Sequence, residues 1–176
     1  MILCAGQTEL FDFATPIGVG LIETAYNLPI ILAEKKPKTL LFVGSCGSYG
    51  KLGILDNFYS SSAAQIEYSS VFARSYTPLD SKIQNNVSHE TIVNSSNYIT
   101  SDEEASKKFL ELGLGAENME FYSVLWVAKK LGIKAKGFFV VTNNCFCDAK
   151  TEYIKNLSTA KDIIYDRYIK ELKEYE

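Results

Sequence analysis

The chain is poor in the residues that hold polyanions and metals. Of its 176 residues one is a histidine, His89, and two are arginines, Arg74 and Arg167. With a formal net charge of −3 it has no electrostatic reason to grip a phosphate backbone, so nucleic acid is not an expected partner. Its four cysteines, Cys4, Cys46, Cys145 and Cys147, are not spaced as a disulfide framework for a chain of this size. Cys145-Phe146-Cys147 has no second Cys/His cluster to complete four zinc ligands, so no metal is expected. Reduced thiols in the cytoplasm are the simpler reading. Apolar runs long enough to span a bilayer are lacking, and Met1–Gly6 has no basic n-region and is too short for a secretory signal. No membrane partner is expected. Repeats and low-complexity segments are also lacking.

What is present is a globular composition, 47% hydrophobic and 22% charged, which argues against disorder. The length fits one domain, residues 1–176, with a proper core. Ile2–Ala5 reads as a first strand and Leu10–Ala14 as a weak second one. Thr15–Gly20 reads as a turn, and a helix follows from about Leu21 to Lys36, with Pro29 inside it. Thr39–Val43 is apolar without alternation, as in a strand buried on both faces. Ile54–Ser60 and Ala64–Val71 are further strand candidates, and residues 74–88 read as a surface loop. Glu90–Val93 is a strand. Ser101 and Glu104 form a capping-box pattern for a helix that ends at Gly113. Met119–Leu131 carries apolar residues at helical spacing and ends at Gly132. Lys136–Val141 is another buried strand. A last helix runs from about Thr151 to Lys173, with Tyr153, Ile154, Leu157, Ile163, Ile164 and Tyr168 on its buried side. Alternating strands and helices predict an α/β fold with a mostly parallel or mixed sheet flanked by helices.

In such sheets ligands sit beyond the carboxyl ends of strands, and four segments there have suggestive chemistry. Gly44-Ser45-Cys46-Gly47 follows a strand; it is either a tight turn or exposed backbone N–H groups for an anion or a polarised water. Asn94–Tyr98 is a surface turn or a ring on which a base stacks. Thr142-Asn143-Asn144 is an Asn-rich turn or a pair of amides that match a heterocycle edge. Glu120, opening a helix, is a carboxylate favoured by the helix dipole or an acceptor for two adjacent sugar hydroxyls.

Taken in order, Gly18-Val19-Gly20 before a helix, Val43-Gly44-Ser45-Cys46-Gly47, Tyr98, Asn118-Met119-Glu120 and Val140-Val141-Thr142-Asn143 make the chain resemble the purine nucleoside phosphorylase and methylthioadenosine/adenosylhomocysteine nucleosidase family. The resemblance runs from about Ile17 into the last helix. It implies a twisted mixed sheet flanked by helices, with a shortened N-terminal region. It also implies cleavage of the N-glycosidic bond of a purine nucleoside, without a cofactor. It further implies that Tyr98 stacks on the base and that Ile99 reads the base edge through its backbone. Glu120 would hold the ribose 2′- and 3′-hydroxyls, with Met119 under the sugar. Asn143 would hydrogen-bond the base near N7, Ser45 and Gly44 would lie at the nucleophile site, and Glu9 would activate water.

Phosphorylases with this glycine string carry an arginine where this chain has Phe42, and a phosphate dianion needs strong donors. Hydrolysis therefore gains, with phosphate as the alternative co-substrate. Asn118 stands where the family's first glutamate of Glu-Met-Glu would be, and Phe121 and Tyr122 replace the small residues after it. Asn143, in place of aspartate, tilts the expected substrate toward an inosine- or guanosine-like nucleoside, with Asn144 one register away. A non-catalytic nucleoside- or base-binding relative is the alternative function. A flavodoxin-like domain is disfavoured, because Gly6–Leu10 lacks the hydroxyl and glycine run for a flavin phosphate. Phe11, Phe13, Phe72 and Tyr76 exceed what one core needs, which points to a homo-oligomer, a dimer or higher.

Overall fold

The computed structural model describes residues 1–84 and 90–175. His89 lies outside them, as does part of the 74–88 segment. In chain order the elements are β1 (Ile2–Cys4), β2 (Thr15–Pro16), α1 (Gly20–Lys35), β3 (Thr39–Ser48), β4 (Asn57–Ser60), β5 (Ala63–Ala64), α2 (Tyr68–Val71), β6 (Lys82–Ile83), β7 (Ile92–Asn94), α3 (Glu103–Glu111), β8 (Leu114–Glu117), α4 (Phe121–Leu131), β9 (Lys134–Asn144) and α5 (Ala149–Lys170), closed by a 3₁₀ turn at Leu172–Tyr175.

The sheet is mixed and mostly parallel. Strands β2, β1, β3, β8, β7, β5 and β6 follow one another across it, while β9 pairs with the other edge of β3 and carries β4. Two ten-residue-scale strands, β3 and β9, run parallel along their whole length and form the spine. Their lack of alternation has the expected cause. Leu40, Phe42, Phe139 and Val141 enter the core under α1 and α4. Leu41, Val43, Phe138 and Val140 enter a second core against Ala160 and Ile164 of α5. Both faces are therefore apolar.

Several elements differ from the sequence reading. Leu10–Ala14 is not a strand; Thr15–Pro16, read as part of a turn, pairs parallel with β1 instead. Ala64–Val71 splits into the end of β5 and a helical turn. The helix α3 is capped by Asp102, whose carboxylate accepts from the N–H groups of Glu104 and Ala105. Ser101 turns away and donates to the carbonyls of Phe146 and Cys147. Ile154, placed on the buried side of the last helix, is exposed. The strand β8 was not anticipated: four residues with a glycine at the second position carry little pattern. Gly44–Gly47 is not a tight turn, because β3 continues to Ser48. Thr142–Asn144 likewise belongs to β9.

The register between β3 and β9 slips at this end. Cys46 faces Val141, yet Gly47 faces Asn143. The extra residue, Thr142, bulges, and bulges of this kind re-aim the side chains beside them.

Candidate active site

The ends of β1, β3, β7, β8 and β9, or the loops that follow them, surround one cavity of about 180 Å³. Ser45, Cys46 and Gly47, Ser96, Tyr98 and Ile99, Met119 and Glu120, and Asn143 all line it, as does Glu9. The three strand-end segments and the sugar-binding candidate therefore converge as the sequence suggested. Gly44 is not among the lining residues. A β-carbon there would stand 3.1 Å from the Glu9 Oε2 and 3.0 Å from the Phe42 ring, so Gly44 makes room for Glu9.

Glu9 comes from the tight loop after β1, where its N–H donates to the Gly6 carbonyl at 2.9 Å. Its carboxylate is gripped at both oxygens by one residue: the Ser45 N–H donates to Oε2 at 2.9 Å and the Ser45 hydroxyl to Oε1 at 2.5 Å. The loop is also tied to α5, where the hydroxyls of Thr8 and Tyr153 lie 2.9 Å apart and Lys161 donates to the Thr8 carbonyl. Tyr153 itself lines the cavity. A helical pattern that only asks for a buried face gives no sign of this.

Glu120 occupies the N-cap position of α4 but does not cap it. The cap is Asn118, whose Oδ1 accepts from the N–H groups of Glu120 and Phe121 while its Nδ2 donates to the Ser45 carbonyl. Glu120 is 3% exposed and reaches across to α1, accepting from the Gly20 N–H at 2.8 Å. Gly20 has φ +83°, and a β-carbon on it would meet Asn97 Oδ1 at 2.7 Å, so only glycine serves at this start of α1. Burial, opposed by the Gly20 bond and reinforced by the Glu9 charge, pushes the Glu120 carboxyl up to about 7. Desolvation here outweighs the helix-dipole effect.

Asn143 and Asn144 are cleanly distinguished. Asn144 donates to Glu152 of α5 through both its backbone N–H and its side chain. Asn143 alone of the pair lines the cavity, with its Oδ1 accepting from the Thr142 hydroxyl and its Nδ2 donating to the Asn144 carbonyl. Tyr98, also in the lining, is 82% and Ile99 57% exposed, so the aromatic candidate stands open to solvent. Glu117, the last residue of β8, also lines the cavity and was not anticipated. Its only signal is a carboxylate closing a short apolar run.

The lining residues include the carboxylates of Glu9, Glu117 and Glu120 and, among the described residues, no lysine or arginine. Phe42, at the position of the phosphorylases' arginine, is wholly buried among Phe121 and Phe139. No helix among the described residues is long and apolar enough to cross a membrane.

No family model and no curated protein matches the chain. Solved structures do. A futalosine hydrolase mutant of Helicobacter pylori is similar over 91% of this chain and 92% of its own, with 16% identity and a TM-score of 0.75. A putative 5′-methylthioadenosine/S-adenosylhomocysteine nucleosidase of Francisella philomiragia is similar over 89% of this chain and 78% of its own, at 14% identity and a TM-score of 0.76. The nucleosidase of S. pneumoniae with a transition-state inhibitor is similar over 91% and 92%, at 11% identity and a TM-score of 0.72. The chain thus has the fold of the methylthioadenosine/adenosylhomocysteine nucleosidases and futalosine hydrolase.

Proposed function

We propose that this chain is a nucleosidase that hydrolyses the N-glycosidic bond of a purine nucleoside. The observation that carries the reading is the arrangement around one cavity. Its lining brings together the Glu9 carboxylate, preset by Ser45 at both oxygens, the buried Glu120, which reaches across to Gly20, and Asn143 with the Tyr98–Ile99 segment. Glu120 accepts the ribose 2′- and 3′-hydroxyls with Met119 beneath the sugar. Tyr98 stacks on the base, the Ile99 backbone reads its edge, and Asn143 donates to it near N7. As the bond to C1′ breaks, its electron pair leaves with the base and the sugar takes on oxocarbenium character. A donor at the base edge helps most there, where negative charge develops. Water, aligned by Glu9 and Ser45, adds to C1′ and gives its proton to Glu9; the departing base takes its proton from solvent water, and Glu9 returns its proton to solvent. Fixing the ribose in line with that water supplies the entropic part of the rate.

Water is the preferred nucleophile because the cavity offers a dianion three carboxylates and no cation among the described residues. The neighbours' names, nucleosidase and hydrolase, agree. Asn143 favours a 6-oxopurine nucleoside, inosine- or guanosine-like. A non-catalytic base-binding relative draws on one observation: the Asn143 amide has no proton to give the leaving base. The chain functions as one domain, residues 1–176, in the cytoplasm and as a homo-oligomer. Phe11 and Phe13 pack on the second core and Phe72 on a third. The better oligomer signal is Ile22, Tyr26 and Ile30, exposed at four-residue spacing on α1.

The test is a nucleoside panel with and without phosphate, with the products identified. Free ribose and free base, independent of phosphate, are expected. Ribose 1-phosphate would mean phosphorolysis, and binding without product the non-catalytic reading.

A further inference from the structure

Glu117 takes no part in the chemistry just described, yet it is a carboxylate buried at the cavity wall and satisfied by three different parts of the fold. Its Oε1 accepts the Thr100 N–H at 2.8 Å and its Oε2 accepts the Tyr49 hydroxyl at 2.9 Å. The Cys145 thiol bonds it as well. Tyr49 is held in turn by Asn94, whose Nδ2 donates to the Tyr49 hydroxyl at 3.2 Å, and Asn94 ends β7, immediately before the base-reading loop. That loop is anchored at Ser95, whose N–H donates to the Ala64 carbonyl, and at Asn97, which accepts from the Leu21 N–H. Beyond Tyr98 and Ile99, both exposed, the first buried residue is Thr100.

We infer that Glu117 is a positioning residue for the base end of the cavity. By holding the Thr100 N–H, it fixes where the Ile99 backbone and the Tyr98 ring stand. The β8–α4 junction then sets three parts of the site from four consecutive residues. Glu117 places the base loop, Asn118 ties to the Ser45 carbonyl, and Glu120 holds the sugar, with Met119 between them. The functional part of this inference rests on the nucleosidase reading; the loop-holding part does not.

The experiment compares wild type with Glu117→Leu, Glu117→Gln and Tyr49→Phe by amide exchange of the ligand-free protein and by steady-state kinetics on inosine. Losing a buried acceptor is worth at least about a factor of ten, so Glu117→Leu is expected to speed exchange over Tyr98–Asp102 about tenfold, with β3 and β9 unchanged. KM rises by a similar factor and kcat changes by less than about threefold. Glu117→Gln, which keeps an acceptor for Thr100, restores most of both, and Tyr49→Phe shows the same direction at smaller size. If Glu117→Leu does not fold, Glu117→Gln and Tyr49→Phe decide by the same two readouts. Unchanged exchange in the loop overturns the inference, as does a fall in kcat at unchanged KM. A wild type that binds neither nucleoside nor base removes the nucleosidase reading, while the exchange measurement still decides the loop.

Discussion

The cavity wall is built in opposite ways around Glu9 and around Tyr98. At the Glu9 end every polar atom that matters is committed before substrate arrives: both carboxylate oxygens of Glu9 are bonded to Ser45, and Thr8 is bonded to Tyr153 and Lys161. Around Tyr98 the wall is open: Tyr98 and Ile99 project into solvent between fixed points at Asn97 and Thr100. The difference suits the work proposed for each. On the proposed reading, proton abstraction from water demands a carboxylate placed to within a fraction of an ångström, and Ser45 of β3 presets Glu9 in that way. On the same reading, stacking on a base tolerates displacement, and an exposed loop serves it.

The largest effect expected from breaking this contrast is at the rigid end. Glu9→Gln keeps the shape and one acceptor but removes the base, so kcat should fall by roughly 10²–10⁴ while KM changes little. Single-turnover kinetics on the preferred nucleoside check this, and a variant that keeps wild-type kcat would show that Glu9 is structural.

Next comes Glu120. Its folded carboxyl titrates at about 7 against an ordinary 4.5. The folded state therefore holds the proton more tightly than the unfolded chain. The stability this contributes is complete below about pH 4.5 and is lost as pH rises through 7, an effect of roughly 3 kcal/mol. Glu120→Gln should gain about that much on wild type between pH 4.5 and pH 8, read from urea melts across the range. The same change should weaken nucleoside binding more than binding of the free base. Equal loss for both would separate Glu120 from the ribose.

Asn143→Asp sharpens the comparison at the base end. Exchanging the amide for a carboxyl that donates to N7 when protonated should shift preference toward adenosine over inosine by roughly 1–3 kcal/mol. Asn144→Asp should not, because Asn144 is bonded to Glu152. A shift from the second variant and not the first would reverse their roles.

The smallest effect expected is Tyr98→Ala. An exposed ring contributes little to the fold, so stability should stay within about 0.5 kcal/mol. Base binding should weaken by about 1 kcal/mol, at the low end for aromatic stacking on a base. Thermal melting and titration with hypoxanthine read the two separately. A large loss of stability would mean that Tyr98 is covered in the working protein, for instance by a second copy of the chain.

Much of this was legible in the residues. Unbroken apolar runs in Thr39–Val43 and Lys136–Val141 gave away strands buried on both faces, because no polar residue is tolerated on either side. The order of Gly18–Gly20, Gly44–Gly47, Tyr98, Met119-Glu120 and Asn143 pointed to one cavity, and each of these segments contributes to its wall, the first through Val19 and the second through Ser45–Gly47. Glu9 was legible only through resemblance, since an isolated glutamate in a loop has no periodicity to mark it. Other features were not legible. Two-residue strands such as β2 are too short to carry a pattern, and they form because a neighbouring strand offers hydrogen bonds. The extension of β3 through two glycines runs against strand propensity and exists because β9 pairs with it to the last residue.

By itself the sequence determined the element types with long, one-sided or two-sided apolar patterning, and the chemical types of the groups at the strand ends. Those follow from local propensity and burial. Only the tertiary structure decided which of Asn143 and Asn144 enters the cavity, through a one-residue bulge at Thr142. It also decided that Glu120 is buried against Gly20 rather than capping its own helix, and that Tyr153 and Glu117 belong to the wall. These outcomes depend on side chains tens of residues apart meeting across the sheet. A pattern read along the chain cannot express that.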